Sequence, residues 1–267
     1  MQDSTPLSAV ILAAGRGSRL GALGASVPKC LVEVGGRPLV EHQLVALRDV
    51  GVRHVVVVVG FRAEAVRAQL GGRVRYVENP RYAETNSLYS LALAREAIEG
   101  PFMLLNSDTL AHPLVYRRVA EHRGSALAYD SRSGTDAEHM KVVFADDRLV
   151  RIDKRVPSAE AHGENVGILK FDAAAAKRLF ERAASLVSDG RENDWAPAAV
   201  QALAHDTPVR GIDIADLPWT EIDFPHDLAH ATTAVWPIVE RSVVSARHPA
   251  PHPTAQRFAR ARAAGDR

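Results

Sequence analysis

Residues 55–59 are five consecutive valines. A run of β-branched residues with no polar alternation has one stable use, a strand buried on both faces. Such strands sit in parallel sheets that carry helices on both sides, so this run constrains the elements around it. The pattern of the N-terminal half agrees. Apolar runs predict strands at 7–13, 54–59, 74–77 and 102–105, and amphipathic spacing predicts helices at 38–50, 63–70 and 87–98. From residue 125 the spacing tightens. Strands are predicted at 126–129, 141–144, 149–152 and 166–171, with a turn at Asp146-Asp147, as a small antiparallel extension laid over the parallel sheet. Helices at 173–186 and 195–204, a strand at 209–212 and a last helix at 225–239 complete the reading. The expected class is α/β, a doubly wound, mostly parallel sheet. Residues 1–243 are expected to form one domain. Residues 244–267, with Arg247, Arg257, Arg260, Arg262, Arg267 and three prolines, are expected to be a disordered basic tail.

Composition narrows the function classes. Thirty-three Lys and Arg stand against 32 Asp and Glu in 267 residues. That balance gives no whole-molecule attraction to nucleic acid or to an anionic membrane, and neither is expected as a partner. The single cysteine, Cys30, has no intramolecular disulfide partner, which fits a reducing compartment. No basic segment followed by an apolar one opens the chain, and no apolar run approaches the length of a membrane span. A cytoplasmic location is expected, and no repeat extension, kinase segment or membrane segment is read within the chain.

The first strand runs into Ala13-Ala14-Gly15-Arg16-Gly17-Ser18-Arg19-Leu20. Two glycines let backbone N–H groups approach anionic oxygens, and Arg19 adds a charge of bidentate geometry, so this is a candidate phosphate loop. Two familiar alternatives fail. A dinucleotide fingerprint needs a third glycine at set spacing and an acid ending the second strand, but the chain has Leu20 and then Gly60-Phe61. A P-loop needs Gly-Lys-Ser/Thr, which is absent.

The run Val10-Ile-Leu-Ala-Ala-Gly-Arg-Gly-Ser-Arg-Leu20, followed by Pro28-Lys29-Cys30-Leu31 and by Val34-Gly-Gly-Arg-Pro-Leu-Val-Glu-His42, resembles the signature of the sugar-phosphate nucleotidyltransferase superfamily. Asn106-Ser107-Asp108, Asp153-Lys154, Gly167-Ile-Leu-Lys-Phe171 and Trp219-Thr-Glu-Ile-Asp223 are similar to further family segments. The segment from Asn79 to Ser90 resembles the cytidylyltransferase branch acting on phosphocholine, inositol phosphate and aminoethylphosphonate. The resemblance implies a Rossmann-like fold of the nucleotide-diphospho-sugar transferase type. It implies an enzyme that condenses CTP with a small phosphorylated or phosphonylated alcohol. A hexose-1-phosphate enzyme using UTP, dTTP or GTP, and a silent nucleotide-binding regulator, are the alternatives. A homodimer is the assembly that the family suggests.

Roles follow from the resemblance. Arg19 and Lys29 would bind the triphosphate, Asp108 and Asp223 would hold Mg2+, and Lys154 would meet the acceptor's anionic group. Leu12, Ala13, Ala14, Gly15, Arg16, Gly17, Asn86 and Ser87 would line the nucleotide site, although Asn86 fits equally as a helix cap. Glu138, Lys141, Glu164, Asn165 and Trp195 would line the acceptor site. Trp195, Trp219, Tyr129 and Tyr89 are candidate walls for a choline cage, but His139-Met140-Lys141 stands where the phosphocholine enzymes place a tryptophan. The chemistry needs no general base, because the attacking phosphate oxygen is already ionised. Cations and positioning supply the acceleration, and no Ser-His-Asp or Cys-His arrangement is visible.

Overall fold

A computed structural model describes residues 5–133 and 136–247. Its strands are β1 (Ser8–Ala13), β2 (Glu33–Val34), β3 (Arg37–Pro38), β4 (His54–Val59), β5 (Arg75–Glu78), β6 (Phe102–Asn106), β7 (Thr109–Ala111), β8 (Ser125–Asp130), β9 (Lys141–Ala145), β10 (Arg148–Asp153), β11 (Gly163–Phe171), β12 (Val209–Asp213) and β13 (Trp219–Glu221). The helices are α1 (Ala22–Ser26), α2 (Leu39–Asp49), α3 (Ala63–Leu70), α4 (Ser87–Leu93), α5 (Pro113–Glu121), α6 (Ala173–Ser188), α7 (Pro197–Ala204), α8 (Pro225–His230) and α9 (Trp236–Arg247).

Nine strands form one sheet in the order β5-β4-β1-β6-β11-β8-β12-β10-β9. β1 pairs in parallel with β4 on one side and β6 on the other. The chain therefore moves outward from β1 in one direction and returns to continue in the other. That reversal opens a crevice at the carboxyl ends of β1 and β6, where ligands bind in doubly wound sheets.

Alternate residues of β1 enter different cores. Val10 and Leu12 pack beneath α4, α6 and α7, while Ala9, Ile11 and Ala13 pack beneath α2, α3 and α5. The valines of β4 divide in the same way, and Val56 to Val59 are fully buried. Each such side chain contributes about 1.5–3 kcal/mol on leaving water.

The structure corrects the expected extension. β9 and β10 are not laid over the sheet but continue it. β9 also pairs with β11 at Gly163 and Glu164, bending the far edge back on itself. β11 runs antiparallel to β6 and β8, and its register shifts between Asn165 and Leu169. Gly167 sits at φ +74° within that irregularity, where a Cβ would lie 2.6 Å from the Asn106 amide. Glycine here lets β11 close against the end of β6.

A third, smaller core joins Leu20, Val32, Val34, Leu110, Ile222, Val235 and Val239. It ties the glycine loop, the segment after Lys29, β7, β13 and the C-terminal helices together. The last helix is longer than expected: α8 passes through a π-helical turn, Ala231–Val235, into α9, which runs to Arg247 and past the boundary expected at 243. Of the tail expected at 244–267, residues 248–267 lie outside the described residues. No helix among the described residues is long and apolar enough to cross a membrane.

Candidate active site

The glycine loop leaves the carboxyl end of β1. Gly17 at φ +63° caps the short 3-10 turn Ser18–Leu20, whose buried Leu20 anchors the loop and leaves Gly15 and Arg16 facing outward. Lys29 follows Pro28 at the start of a second 3-10 turn, with Cys30 buried behind it. Burial pushes the Cys30 thiol up to about 12, so it is an inert apolar side chain.

Asp108 lies in the turn between β6 and β7, and Asp223 follows β13. β7 and β13 pair antiparallel, Thr109 opposite Glu221, and the Ile222 N–H donates to the Asp108 carbonyl at 3.1 Å. This small pairing sets the two aspartates side by side although 115 residues separate them in the chain. Capping of the following helix, the alternative role for Asp223, belongs to Asp227. Its Oδ2 accepts from the N–H groups of Asp223 (2.9 Å) and Phe224 (2.7 Å).

The Lys29 ammonium lies between the two carboxylates, 2.7 Å from Asp108 Oδ2 and hydrogen-bonded to Asp223 Oδ1. Burial opposes the charge on Lys29, but the two carboxylates outweigh it and raise its pKa, so the ammonium stays protonated. Arg19 Nη2 is 2.9 Å from Asp223 Oδ2, and Arg19 Nη1 is 3.2 Å from Glu138 Oε2. The same Glu138 oxygen accepts from Lys154 Nζ at 3.0 Å, and Lys154 stands 5.0 Å from the Trp195 ring. Arg19, Lys29 and Lys154, from three separate segments, thus form one charged chain with Asp108, Asp223 and Glu138.

These groups line a cavity of about 480 Å³ together with Leu12, Gly15, Arg16, Gly17, Asn86, Ser87 and Asn165. Asn86 both caps α4, accepting from Ser87 N at 2.8 Å, and lines the cavity. Ser87 Oγ is engaged by Ala196 N at 2.8 Å. Ser18, Tyr82, Thr85, Asn106, Ser107, Met140, Pro197 and Glu221 line it as well and were not assigned roles from the sequence. Two further recesses open from it: one of about 710 Å³ beyond Met140, Lys154, Trp195 and Pro197, and one of about 570 Å³ beyond Glu138, Glu221 and Asp223. Glu164 lines the second of these.

Five of the expected residues lie outside the lining of the cavity and its recesses. Lys141 does not reach the cavity: it is buried, and its Nζ donates to the Lys154 carbonyl at 2.8 Å, so it supports the Lys154 backbone. Ala13 belongs to the core beneath α2, and the Ala14 carbonyl accepts from Phe61 N at 3.0 Å, so neither lines the site. Tyr129 packs on Phe144 and Tyr89 lies by Arg81, away from the cavity. Of the four candidate cage walls, Trp195 lines the cavity and Trp219 the recess beside it, while Tyr129 and Tyr89 line neither.

Glu221 is two residues before Asp223 on an extended segment, and that spacing was the signal that would have found it. Its carboxyl opens on the cavity, yet protein atoms crowd it, and desolvation with the Asp108 and Glu164 charges pushes it up to about 8. A raised carboxyl binds its proton more tightly folded than unfolded. Stability from this group is full below about pH 4.5 and is lost as pH rises through about 8. Glu221→Gln is therefore expected to stabilise the protein at pH 8–9, seen as a higher melting temperature, and to change it little near pH 4.5. Thermal melts of both proteins across that range test it. A shift that is equal at both ends removes the assignment.

Residues 9–264 match the model of the MobA-like NTP transferase domain. The chain is 36% identical over 247 residues to the CMP-5'-(3-aminopropyl)phosphonate synthase of Streptomyces rubellomurinus, covering 86% of this chain and 39% of that protein. It is 33% identical over 229 residues to the bifunctional IPC transferase and DIPP synthase of Rubrobacter xylanophilus, covering 83% of this chain and 50% of that one. The chain thus spans half or less of these curated relatives. Among solved structures, the inositol-1-phosphate CTP transferase from T. maritima superposes with a TM-score of 0.70 at 28% identity, over 87% of this chain and 94% of that one. The glycine loop, the Pro28-Lys29 segment and the doubly wound sheet agree with these matches, and the chain belongs to the MobA-like NTP transferase domain family.

Proposed function

We propose that this protein is a cytidylyltransferase that joins CMP from CTP to a small phosphorylated or phosphonylated alcohol and releases pyrophosphate. One observation carries the reading: Arg19, Lys29, Asp108 and Asp223 meet at the sheet's switch point, and the glycine loop and Lys154 line the same cavity. Both reactants are anions, and such a site gathers them against their repulsion. Cytidine is favoured over other bases because the relatives named for CMP or CTP are 36% and 28% identical over 86% and 87% of the chain.

Arg19 and Lys29 bind the triphosphate. An ionised acceptor oxygen attacks the α-phosphorus, the bond to the β-phosphate oxygen breaks, and pyrophosphate leaves with its charge held by the same two cations. Lys154 holds the acceptor's anionic group in line, with Trp195 beside its ammonium. No proton is moved, so the step needs no general base. Asp108 and Asp223 suit a divalent ion: Asp108 Oδ1 is buried with no hydrogen-bond partner among the described residues, and Mg2+ takes one or two carboxylates plus phosphate oxygens and water. Bound there, Mg2+ would neutralise phosphate charge.

Pyrophosphate release with Mg2+ tests this, crossing CTP, UTP, dTTP, ATP and GTP with inositol 1-phosphate, phosphocholine, 2-aminoethylphosphonate and glucose 1-phosphate. CTP-dependent release that stops with a chelator is expected. Release only with a hexose phosphate and another triphosphate would replace the base and acceptor assignments. Lys154→Ala is expected to raise the acceptor KM about 10- to 100-fold, as for a lost charge-assisted contact of about 1.5–3 kcal/mol, with the CTP KM nearly unchanged. Loss of CTP binding instead would move Lys154 to the donor side.

A further inference from the structure

The buried residues of α2 are Leu39, Val40, Gln43, Leu44, Ala46 and Leu47, and Gln43 is the one polar side chain among them. It is fully buried. Its Nε2 donates to the Asn106 carbonyl at 2.7 Å and to the Thr109 carbonyl at 3.1 Å. Asn106 ends β6 and Thr109 opens β7, so one carboxamide spans the turn Ser107-Asp108 that presents the metal-site aspartate. The Gln43 Oε1 is itself buried with no hydrogen-bond partner among the described residues. A buried amide with an unmatched oxygen is costly, and methionine or leucine would fill the same apolar layer without that cost. Packing alone therefore does not account for a glutamine here.

The turn is gripped from other elements as well. The Ile222 N–H donates to the Asp108 carbonyl at 3.1 Å, Thr109 Oγ1 donates to the Val166 carbonyl at 3.2 Å, and Asn106 Nδ2 donates to Glu221 Oε1 at 3.3 Å. Those bonds tie the turn to the β13 segment and to β11. Gln43 ties it to α2, which Val40, Leu44, Ala46 and Leu47 fix in the core beneath the sheet. β7 is three residues long and supplies little backbone restraint of its own. Asp108 meanwhile has an exacting task, with Oδ2 at 2.7 Å from the Lys29 ammonium and Oδ1 buried without a partner among the described residues. Site geometry holds to fractions of an ångström only when supporting hydrogen bonds lock it to rigid elements.

We propose that Gln43 is a positioning residue for nucleotidyl transfer: its carboxamide clamps the Asn106–Thr109 turn to α2 and so aims the Asp108 carboxylate at Asp223 and the metal between them. Gln43 does not line the cavity, so it acts on the reaction only through Asp108. This rests on the reading of Asp108 as a metal carboxylate and extends it to the residue that aims it. Loss of the clamp leaves Arg19 and Lys154, which contact the two substrates, untouched. It frees the turn to drift, which weakens the metal and slows the chemical step without loosening substrate binding.

Gln43→Met keeps the side-chain length and removes both donors, and Gln43→Asn keeps an amide one methylene too short to span both carbonyls. Leu47→Met, on the same buried face without a bond to the turn, controls for a changed core. The full chain is assayed for pyrophosphate release, for melting temperature, and for Mn2+ binding beside a non-hydrolysable CTP analogue, read by electron paramagnetic resonance. Both Gln43 variants are expected to lower kcat about 10- to 100-fold and to weaken Mn2+ binding about tenfold, with both substrate KM values held within about threefold. The melting temperature of Gln43→Met is expected to stay near that of the parent, because the unmatched oxygen leaves with the donors. Leu47→Met is expected to match the parent in kcat and Mn2+ binding. Parental kcat and Mn2+ binding in the Gln43 variants overturn the proposal. So does an equal loss in Leu47→Met, or a fall in melting temperature with kcat and both KM values worsening together, since either makes Gln43 structural. A parent that turns over while binding no Mn2+ beside the analogue overturns the metal reading of Asp108, and one that releases no pyrophosphate from any triphosphate overturns the transferase reading beneath it.

Discussion

Asp108→Ala is expected to lower kcat by at least about a thousandfold while the protein stays folded, because it removes a group that acts where charge develops in the transition state. The carboxylate has two distinct oxygens. Oδ2 faces the Lys29 ammonium at 2.7 Å, and Oδ1 is buried without a partner among the described residues. The first interaction has a spare, since Lys29 keeps Asp223. The second has no folded-state function, so deleting it also removes an unsatisfied acceptor. The stability change is thus expected to stay within about 1–2 kcal/mol, or roughly 2–8 °C in melting temperature for a chain of this size. Pyrophosphate release and thermal melts on the same preparation separate the effects. A variant that melts normally and turns over normally would remove Asp108 from the site. One that unfolds would make its role structural.

Lys29→Met is expected to lower kcat/KM by about 10²- to 10⁴-fold and, unlike the aspartate change, to destabilise the unliganded protein. Methionine keeps most of the side-chain volume and removes the charge. Asp108 and Asp223 are then left mostly buried and facing one another, with Arg19 on Asp223 as the one remaining cation partner among the described residues. Removing one member of a buried pair costs about 3–5 kcal/mol, and partial exposure brings the expectation here to about 2–3 kcal/mol. A divalent cation entering between the carboxylates replaces the lost charge. Millimolar Mg2+ is therefore expected to raise the melting temperature of the variant more than that of the parent. Equal Mg2+ shifts in the two proteins would argue that the carboxylates are not a shared cation site.

The parallel half of the fold was legible for a plain reason. β4 and α3 fall where the valine run and the helical spacing put them, since both faces of β4 and one face of α3 meet an apolar layer. Periodicity reports burial, and burial is what those elements do. The phosphate loop and Lys29 were legible as well, because glycine spacing and the following Pro-Lys carry local backbone requirements. Other parts were not. α5 was not read from the sequence: of its nine residues only Val115, Tyr116 and Val119 are buried, too few to set a period, and packing on β8 and β11 fixes it. β7 and β13 are three residues each, too short for a pattern, and exist because they pair with one another.

The same division runs through the site. Sequence alone determined which residues carry charge, the glycine spacing of the first loop and the doubly wound α/β class, since residue chemistry and short-range period are properties of the chain itself. Tertiary structure decided which of those charges meet. It set Asp108 against Asp223 through the β7–β13 pairing, carried Lys154 to Glu138 by curling the far edge of the sheet, and turned Lys141 inward to the Lys154 carbonyl. It also withheld Tyr129 and Tyr89 from the cavity and placed Glu164 and Glu221 around an acidic recess. Electrostatic neighbours fall off with distance in space, and only strand pairing and packing convert separations of a hundred residues into a few ångströms.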